Sequence, residues 1–166
     1  MRYAYIMPND FIDGEGVCVS LWVQGCPHKC TDCHNPETWN FEDGEPYTDK
    51  VKNYIIEAIT KNGIMRNFSV LGGEPLCEEN IVEAANIILT VRHKFPNIKI
   101  FLWTGYTIEE LLKRHDRATN IILHTIDYLI DGRFELDKRN ITLKLRGSSN
   151  QHIYYINSDK ALELIE

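Results

Sequence analysis

The chain has 166 residues, of which 43% are hydrophobic and 25% charged, and its net charge is −6 at pH 7. This length suits one domain, which can bury enough apolar surface to fold without a disulfide. Because an acidic chain with no run of Lys or Arg lacks the basic patch of a dedicated nucleic-acid-binding protein, we expect no nucleic-acid partner.

The N-terminal residues lack the apolar segment of a signal peptide, and no stretch approaches the length of a membrane span. We therefore expect a cytoplasmic protein with no membrane partner. In that reducing compartment, the five cysteines indicate metal ligands or buried thiols rather than disulfides.

Short β-branched segments alternate with helical patterns along the chain. In chain order, the pattern predicts a strand at 17–23, a helix at 49–61, a strand at 67–71, a helix at 78–95, a strand at 98–103, a helix at 107–115, a second short helix within 116–125, and strands at 128–130 and 141–145. The order βαβαβαβ predicts a largely parallel sheet covered by helices. A closed eight-stranded barrel typically needs about 250 residues, so a partial barrel or an open sheet remains.

Four polar or glycine-rich motifs follow the ends of predicted strands. They are a cysteine loop after residue 23, Gly72-Gly73-Glu74-Pro75, Thr104-Gly105-Tyr106 and Asp131-Gly132-Arg133. Loops at the carboxyl ends of parallel strands build the active sites of α/β proteins. We therefore expect the four motifs to converge on one site.

The cysteine loop carries Cys26, Cys30 and Cys33 in a C-x3-C-x2-C pattern. Clustered thiolates select zinc, copper(I) or an iron–sulfur cluster. A structural zinc needs a fourth protein ligand, for which the candidates are His28, His34, Cys18 and Cys77. The chain has no second ligand pair of the usual zinc spacing, so the pattern favours iron–sulfur over zinc and leaves one coordination position open.

Together with Gly72-Gly73-Glu74-Pro75, the cysteine pattern resembles the radical S-adenosylmethionine (radical SAM) superfamily. Within it, the chain is similar to the family of activating enzymes of the anaerobic, class III ribonucleoside-triphosphate reductase. The likeness runs from Tyr5 to about His152 and includes Trp103-Thr104-Gly105-Tyr106 and Arg146-Gly147-Ser148-Ser149-Asn150-Gln151. Asp32 and His34 depart from it, because an aromatic residue and a tyrosine are usual at these two positions.

The resemblance implies a single radical SAM domain over residues 1–166, folded as a partial (βα) barrel with a largely parallel sheet and an open side. It implies that Cys26, Cys30 and Cys33 bind three irons of a [4Fe–4S] cluster whose fourth iron is chelated by S-adenosylmethionine (SAM). Reductive cleavage of SAM would yield a 5′-deoxyadenosyl radical, which abstracts hydrogen from a glycine of the reductase. No catalytic group beyond the cluster and SAM is implied. The second implied partner is a low-potential electron donor such as flavodoxin.

The same resemblance implies a set of SAM-binding residues. Gly72 and Gly73 are expected to let the backbone approach SAM closely, and Glu74 to accept a hydrogen bond from its ammonium group. Thr104 and Gly105 are expected beside the adenosyl group.

Asp131 and Arg133 complete this set. Asp131 is expected to bind the ribose hydroxyls or to orient Arg133, and Arg133 to pair with the methionine carboxylate. No role is assigned to residues 146–151.

Two other functions remain as alternatives. One is a radical SAM enzyme that acts on a small molecule, which usually needs a longer chain to enclose its substrate. The other is a zinc-stabilised interaction module. At this length one side of the site should stay open, which suits a protein substrate that presents a glycine on a loop.

Overall fold

The structure, a computed structural model, describes residues 1–156 and 162–166. Within these residues, eight strands form one sheet: β1 (Arg2–Asp10), β2 (Cys18–Gln24), β3 (Glu45–Pro46), β4 (Asn67–Gly72), β5 (Ile100–Trp103), β6 (Tyr128–Asp131), β7 (His152–Ile156) and β8 (Leu162–Leu164). The α-helices there are α1 (Asp49–Thr60), α2 (Ile81–Lys94), α3 (Ile108–Leu112) and α4 (Arg117–Leu123).

The sheet has a parallel centre and antiparallel edges. Its strand order is β3-β1-β2-β4-β5-β6-β7-β8, and β2, β4, β5 and β6 pair in parallel. The strands β1 and β3 add antiparallel at one edge, and β7 and β8 at the other. The predicted parallel sheet is thus confirmed for its four central strands, and the whole is a mixed α/β fold.

The central strands are apolar because both of their faces are covered. All seven residues of β2 are buried, as expected for a strand inside a parallel sheet. The first two helices pack their apolar faces on the sheet, as their spacing predicted. The buried residues on these faces include Ile55 and Ile59 of α1 and Ala84, Ile88 and Val91 of α2.

The prediction of a strand at 141–145 is wrong. These residues form turns and bends, and Ile141 is 84% exposed. The Asn140 side chain accepts a hydrogen bond from the backbone N–H of Thr142 at 3.0 Å, and Leu145 has a left-handed φ of 56°. Both features turn the backbone away from the extended conformation that the apolar residues suggested.

Four strands of the antiparallel edge regions, β1, β3, β7 and β8, were not predicted. The exposure of β1 alternates only partly along its length, and Pro8 lies within it, which is tolerated in an edge region.

The segment 116–125, for which a short helix was predicted, contains α4. The start of α4 is fixed by the Asp116 side chain, which accepts a hydrogen bond from Thr119 N at 2.7 Å. In the part of the chain that is described, no helix combines the length and the apolar character needed to cross a membrane.

Candidate metal and cofactor site

A cavity of about 690 Å³ lies where β2, β4, β5 and β6 end. This volume is in the range of small-molecule sites, about 300–1,000 Å³. All four strand-end motifs contribute to its lining, so the predicted convergence is confirmed. Of the predicted site residues, the cavity is lined by Cys26, Cys30, Cys33, Gly72, Gly73, Glu74, Thr104, Gly105 and Arg133.

The three loop thiols are free and partly buried, whereas Cys18 and Cys77 are buried and do not line the cavity. Among residues 1–156 and 162–166, no three Cys, His, Asp or Glu side chains are gathered closely enough to hold one metal ion. A structural zinc would require such a gathering. In a [4Fe–4S] cluster each thiolate binds its own iron, so three thiols around one cavity fit a cluster without meeting at a point.

Backbone N–H groups surround the thiol sulfurs. Burial raises the pKa of Cys26 to about 11, and hydrogen bonds from the backbone of His28 and Lys29 oppose the rise. The backbone N–H of Asn35 donates to Cys33 Sγ at 3.4 Å. Hydrogen bonds to cysteine sulfur are among the factors that set the reduction potential of a bound cluster, so the loop supplies groups that would tune a cluster held there.

The same loop gives a physical reason for Asp32. Lys29 and Asp32 have φ values of 47° and 53°, in the left-handed region. Asp is among the residues that adopt this conformation most readily, whereas a bulky aromatic side chain is strained there. An aromatic residue at position 32 would therefore require another loop conformation.

Glu74 is fully buried, and its carboxylate accepts four hydrogen bonds from the protein. Oε1 accepts from Leu76 N and Thr104 Oγ1, both at 2.8 Å. Oε2 accepts from Gly105 N at 2.7 Å and lies 2.8 Å from His28 Nε2. The expected contact with a ligand ammonium would have to displace one of these donors, so the geometry gives Glu74 the role of joining three loops.

The two glycines before Glu74 are required by packing as well as by the cavity. Gly72 has a φ of +100°, and a Cβ there would lie 2.9 Å from the backbone of Val23. A Cβ on Gly73 would lie 2.4 Å from the carbonyl oxygen of Gly25. Besides any approach to a ligand, both glycines therefore allow close contact with the end of β2 and the residues that follow it.

Arg133 stands at the cavity with its guanidinium partly exposed. Its Nε donates to His28 Nδ1 at 3.1 Å, and its Nη2 donates to Glu110 Oε1 at 3.2 Å. Although Arg133 is paired with Glu110, its side chain remains 43% exposed and lines the cavity, where a carboxylate would be a suitable partner for the guanidinium.

Asp131 is not brought into the cavity. Its carboxylate is buried and accepts hydrogen bonds from Ile108 N at 2.7 Å and His152 N at 3.2 Å. These bonds fix the start of α3 and the pairing of β6 with β7. The geometry therefore gives Asp131 a structural role in place of the expected ribose contact.

Residues 146–151 form part of the cavity lining, through Arg146, Gly147 and Gln151, and also support the neighbouring loop. Gln151 Nε2 donates to the carbonyl of Gly132 at 2.9 Å, and Asn150 Nδ2 donates to the carbonyl of Arg133 at 2.8 Å. Gln151 Oε1 accepts from the backbone of its own segment. The segment thus fixes the backbone that carries Arg133.

Two tryptophans, Trp22 and Trp103, also line the cavity. Trp103 Nε1 donates to the carbonyl of Leu145 at 2.7 Å. The indole N–H of Trp22 is buried and has no hydrogen-bond partner among the described residues. Their positions near the ends of β2 and β5 were the only sequence signal for this role. A buried donor without a partner, on a residue that lines the same cavity as the three thiols, fits a site that binds a polar ligand.

Comparison with known proteins supports an iron–sulfur cluster in this chain. A family model described as a 4Fe-4S single cluster domain matches residues 12–154. The chain is 38% identical to the anaerobic ribonucleoside-triphosphate reductase-activating protein of Pasteurella multocida, over 93% of this chain and 97% of the relative. It is 33% identical to the protein of that name from Escherichia coli K12, over 94% and 99%, and 37% identical to that of Enterobacteria phage T4, over 93% and 94%.

Proposed function

The chain belongs to the family of anaerobic ribonucleoside-triphosphate reductase-activating proteins, and from this premise we propose that it activates the reductase by cleaving SAM reductively at a [4Fe–4S] cluster and generating a glycyl radical on that partner. The observation that carries the proposal is the meeting of three free cysteines with three other strand-end motifs at one cavity.

When bound, the reduced cluster would supply the electron that splits SAM into methionine and a 5′-deoxyadenosyl radical. Cys26, Cys30 and Cys33 would hold three irons and leave the fourth to SAM. The protein's own contribution is then to bind and orient, so no side chain is needed as a proton donor or nucleophile.

The remaining cavity residues would bind SAM. Gly72 and Gly73 offer a backbone surface without side chains, and Thr104 and Gly105 would flank the adenosyl group. Arg133, with part of its guanidinium free, would receive the methionine carboxylate. Glu74 would act by holding these groups in place, since its own oxygens are already occupied.

The proposal includes a single radical SAM domain over residues 1–166, with the partial (βα) barrel of that superfamily. The parallel order β2-β4-β5-β6, with the site where these strands end, supports it. A cytoplasmic location and a low-potential donor such as flavodoxin complete the proposal, because cleavage of SAM requires an electron of low potential.

A protein substrate is favoured over a small molecule by the rim of the cavity. Ile12 and Ile141 line it, and they are 79% and 84% exposed. Apolar side chains exposed beside a site are typical of surfaces that another protein covers.

The test is electron paramagnetic resonance (EPR) of an anaerobic ribonucleoside-triphosphate reductase after incubation with this protein, SAM and a reductant. We expect a glycyl radical signal that requires all three additions. Cleavage of SAM without that signal would favour a small-molecule substrate. About one zinc per chain and no sulfide in anaerobically purified protein would contradict the enzyme proposal altogether.

A further inference from the structure

His28 lies within the cysteine loop, yet its side chain is only 6% exposed. Its Nε2 lies 2.8 Å from Glu74 Oε2, and its Nδ1 accepts a hydrogen bond from Arg133 Nε at 3.1 Å. The ring packs edge-on against Tyr106, with centroids 4.5 Å apart. Both ring nitrogens and the ring surface are therefore engaged, which is unusual for a polar residue in an exposed loop.

We infer that His28 is a positioning residue, which fastens the cysteine loop to Glu74 and Arg133 and so sets where the three thiols stand relative to the other strand-end motifs. The inference rests on the proposed function only in taking the thiols as cluster ligands. The fastening itself is a property of the chain without any cofactor.

The partners of His28 determine the position of its proton. The carboxylate of Glu74 only accepts hydrogen bonds, and the guanidinium of Arg133 only donates them. The imidazole must therefore carry a proton on Nε2 and a lone pair on Nδ1. The other neutral tautomer would face the guanidinium with an N–H and the carboxylate with a lone pair, and a ring turned over would face both with carbon atoms, so only one tautomer in one orientation joins both partners.

Through Glu74 and Arg133, the contacts of His28 extend to the loops that follow β5 and β6. Glu74, which follows β4, also accepts hydrogen bonds from Thr104 and Gly105 after β5, and Arg133 follows β6. A Cβ on Gly105 would lie 2.4 Å from the His28 ring, so the glycine leaves the space that the imidazole fills. One side chain of the loop after β2 thus contacts residues from all three other motifs.

Two substitutions separate the hydrogen bonds from the bulk of the side chain. His28→Leu introduces an apolar side chain of similar length, which fills much of the same space but makes neither hydrogen bond. His28→Gln introduces a side-chain amide, which can still donate a hydrogen bond to Glu74. His93→Leu is the matched control, because His93 is exposed on α2, away from the cavity.

The first measurement is hydrogen exchange of residues 26–34 in the full chain without cofactor, under reducing conditions. A hydrogen bond to a charged group contributes enough that its loss should speed exchange of this loop about 10-fold or more in His28→Leu. We expect His28→Gln to restore most of the protection and His93→Leu to match the parent. Equal exchange in His28→Leu and the parent would overturn the inference.

The second measurement uses the chain reconstituted with iron and sulfide. We expect His28→Leu to lose iron to a chelator about 10-fold faster than the parent, with a shifted midpoint potential, and His28→Gln to recover much of both. Iron retention and potential unchanged in His28→Leu would show that the loop is held without placing the thiols, which overturns the inference. If the parent itself takes up no iron and sulfide, the proposed function fails, while the exchange measurement still decides the role of His28.

Discussion

Glu74→Gln tests whether the buried carboxylate joins the loops around the cavity. The substitution preserves size but replaces one accepting oxygen with an NH₂ group. Two of the four donors are backbone N–H groups, which can never accept a hydrogen bond. Leu76 N donates to Oε1 and Gly105 N donates to Oε2. Whichever way the amide turns, one buried backbone N–H therefore loses its partner.

The expected cost follows from this geometry. In the better orientation, the Thr104 hydroxyl rotates to accept from the new NH₂ group, and only Leu76 N is left without a partner. An unsatisfied buried donor costs about 1–3 kcal/mol. The remaining bonds also fall from charge-assisted to neutral, which roughly halves their strength. We expect a total loss of about 3 kcal/mol in the free energy of unfolding.

The assay is urea and thermal unfolding of the full chain without cofactor, kept reduced. In a protein of this size, about 3 kcal/mol corresponds to a fall in Tm of roughly 6–12 °C. The matched control is Glu78→Gln, the same change four positions along at an exposed side chain, for which we expect about 0.5 kcal/mol or less. A Glu74→Gln chain as stable as the Glu78→Gln chain would refute the role of Glu74 as a joining residue.

Three further predictions concern the thiols, an acidic pair and an unused donor. Alanine at Cys26, Cys30 or Cys33 should abolish cluster assembly measured by iron and sulfide content, whereas Cys18→Ala should retain it; the reverse pattern would contradict the ligand assignment. Burial, aided by the Asp10 carboxylate, raises the pKa of Asp13 to about 7 from 3.8. The folded chain then holds this proton more tightly than the unfolded chain, so Asp13 lowers stability as pH rises between these values. The Tm of Asp13→Asn relative to the parent should therefore increase from about pH 5 to about pH 8, and a constant difference would argue against it. Trp22→Phe should lower the stability of the cofactor-free chain only by the lost packing of the larger ring, about 1 kcal/mol, because the indole N–H has no partner among the described residues. It should weaken SAM binding to the reconstituted chain about 3-fold to 10-fold, and equal SAM affinity would show that the donor is not used.

The features that the sequence predicted correctly are those that depend on neighbouring residues in the chain. Cys26, Cys30 and Cys33 lie within eight residues, and the central strands are continuous apolar runs, so both could be predicted without contacts. The prediction that four motifs meet needed only the rule for the ends of parallel strands. Edge strands such as β1 and β7 were missed, because their mixed burial gives no clear period.

The roles of single side chains could not be predicted, because they depend on partners distant in sequence. Glu74 and His28 are 46 positions apart, and Arg133 and His28 are 105 apart. In the sequence, an acidic residue at the end of a strand looks the same whether its carboxylate faces a cavity or holds the start of a helix, and both cases suggest a ligand contact. Asp131 is an example of the second kind, since its oxygens hold α3 and β7.

The order of the strands also has a consequence for biosynthesis. The thiols are made before the groups that fix their loop, which come from positions 74 and 133, and the segment that holds Arg133 comes later still. Parallel pairing of β2, β4, β5 and β6 needs each intervening crossover to be complete, so this part of the sheet forms late. A nascent chain therefore carries its three thiols before their loop can be fixed, and the cluster site proposed here would be complete only after residues 128–156 have joined the sheet.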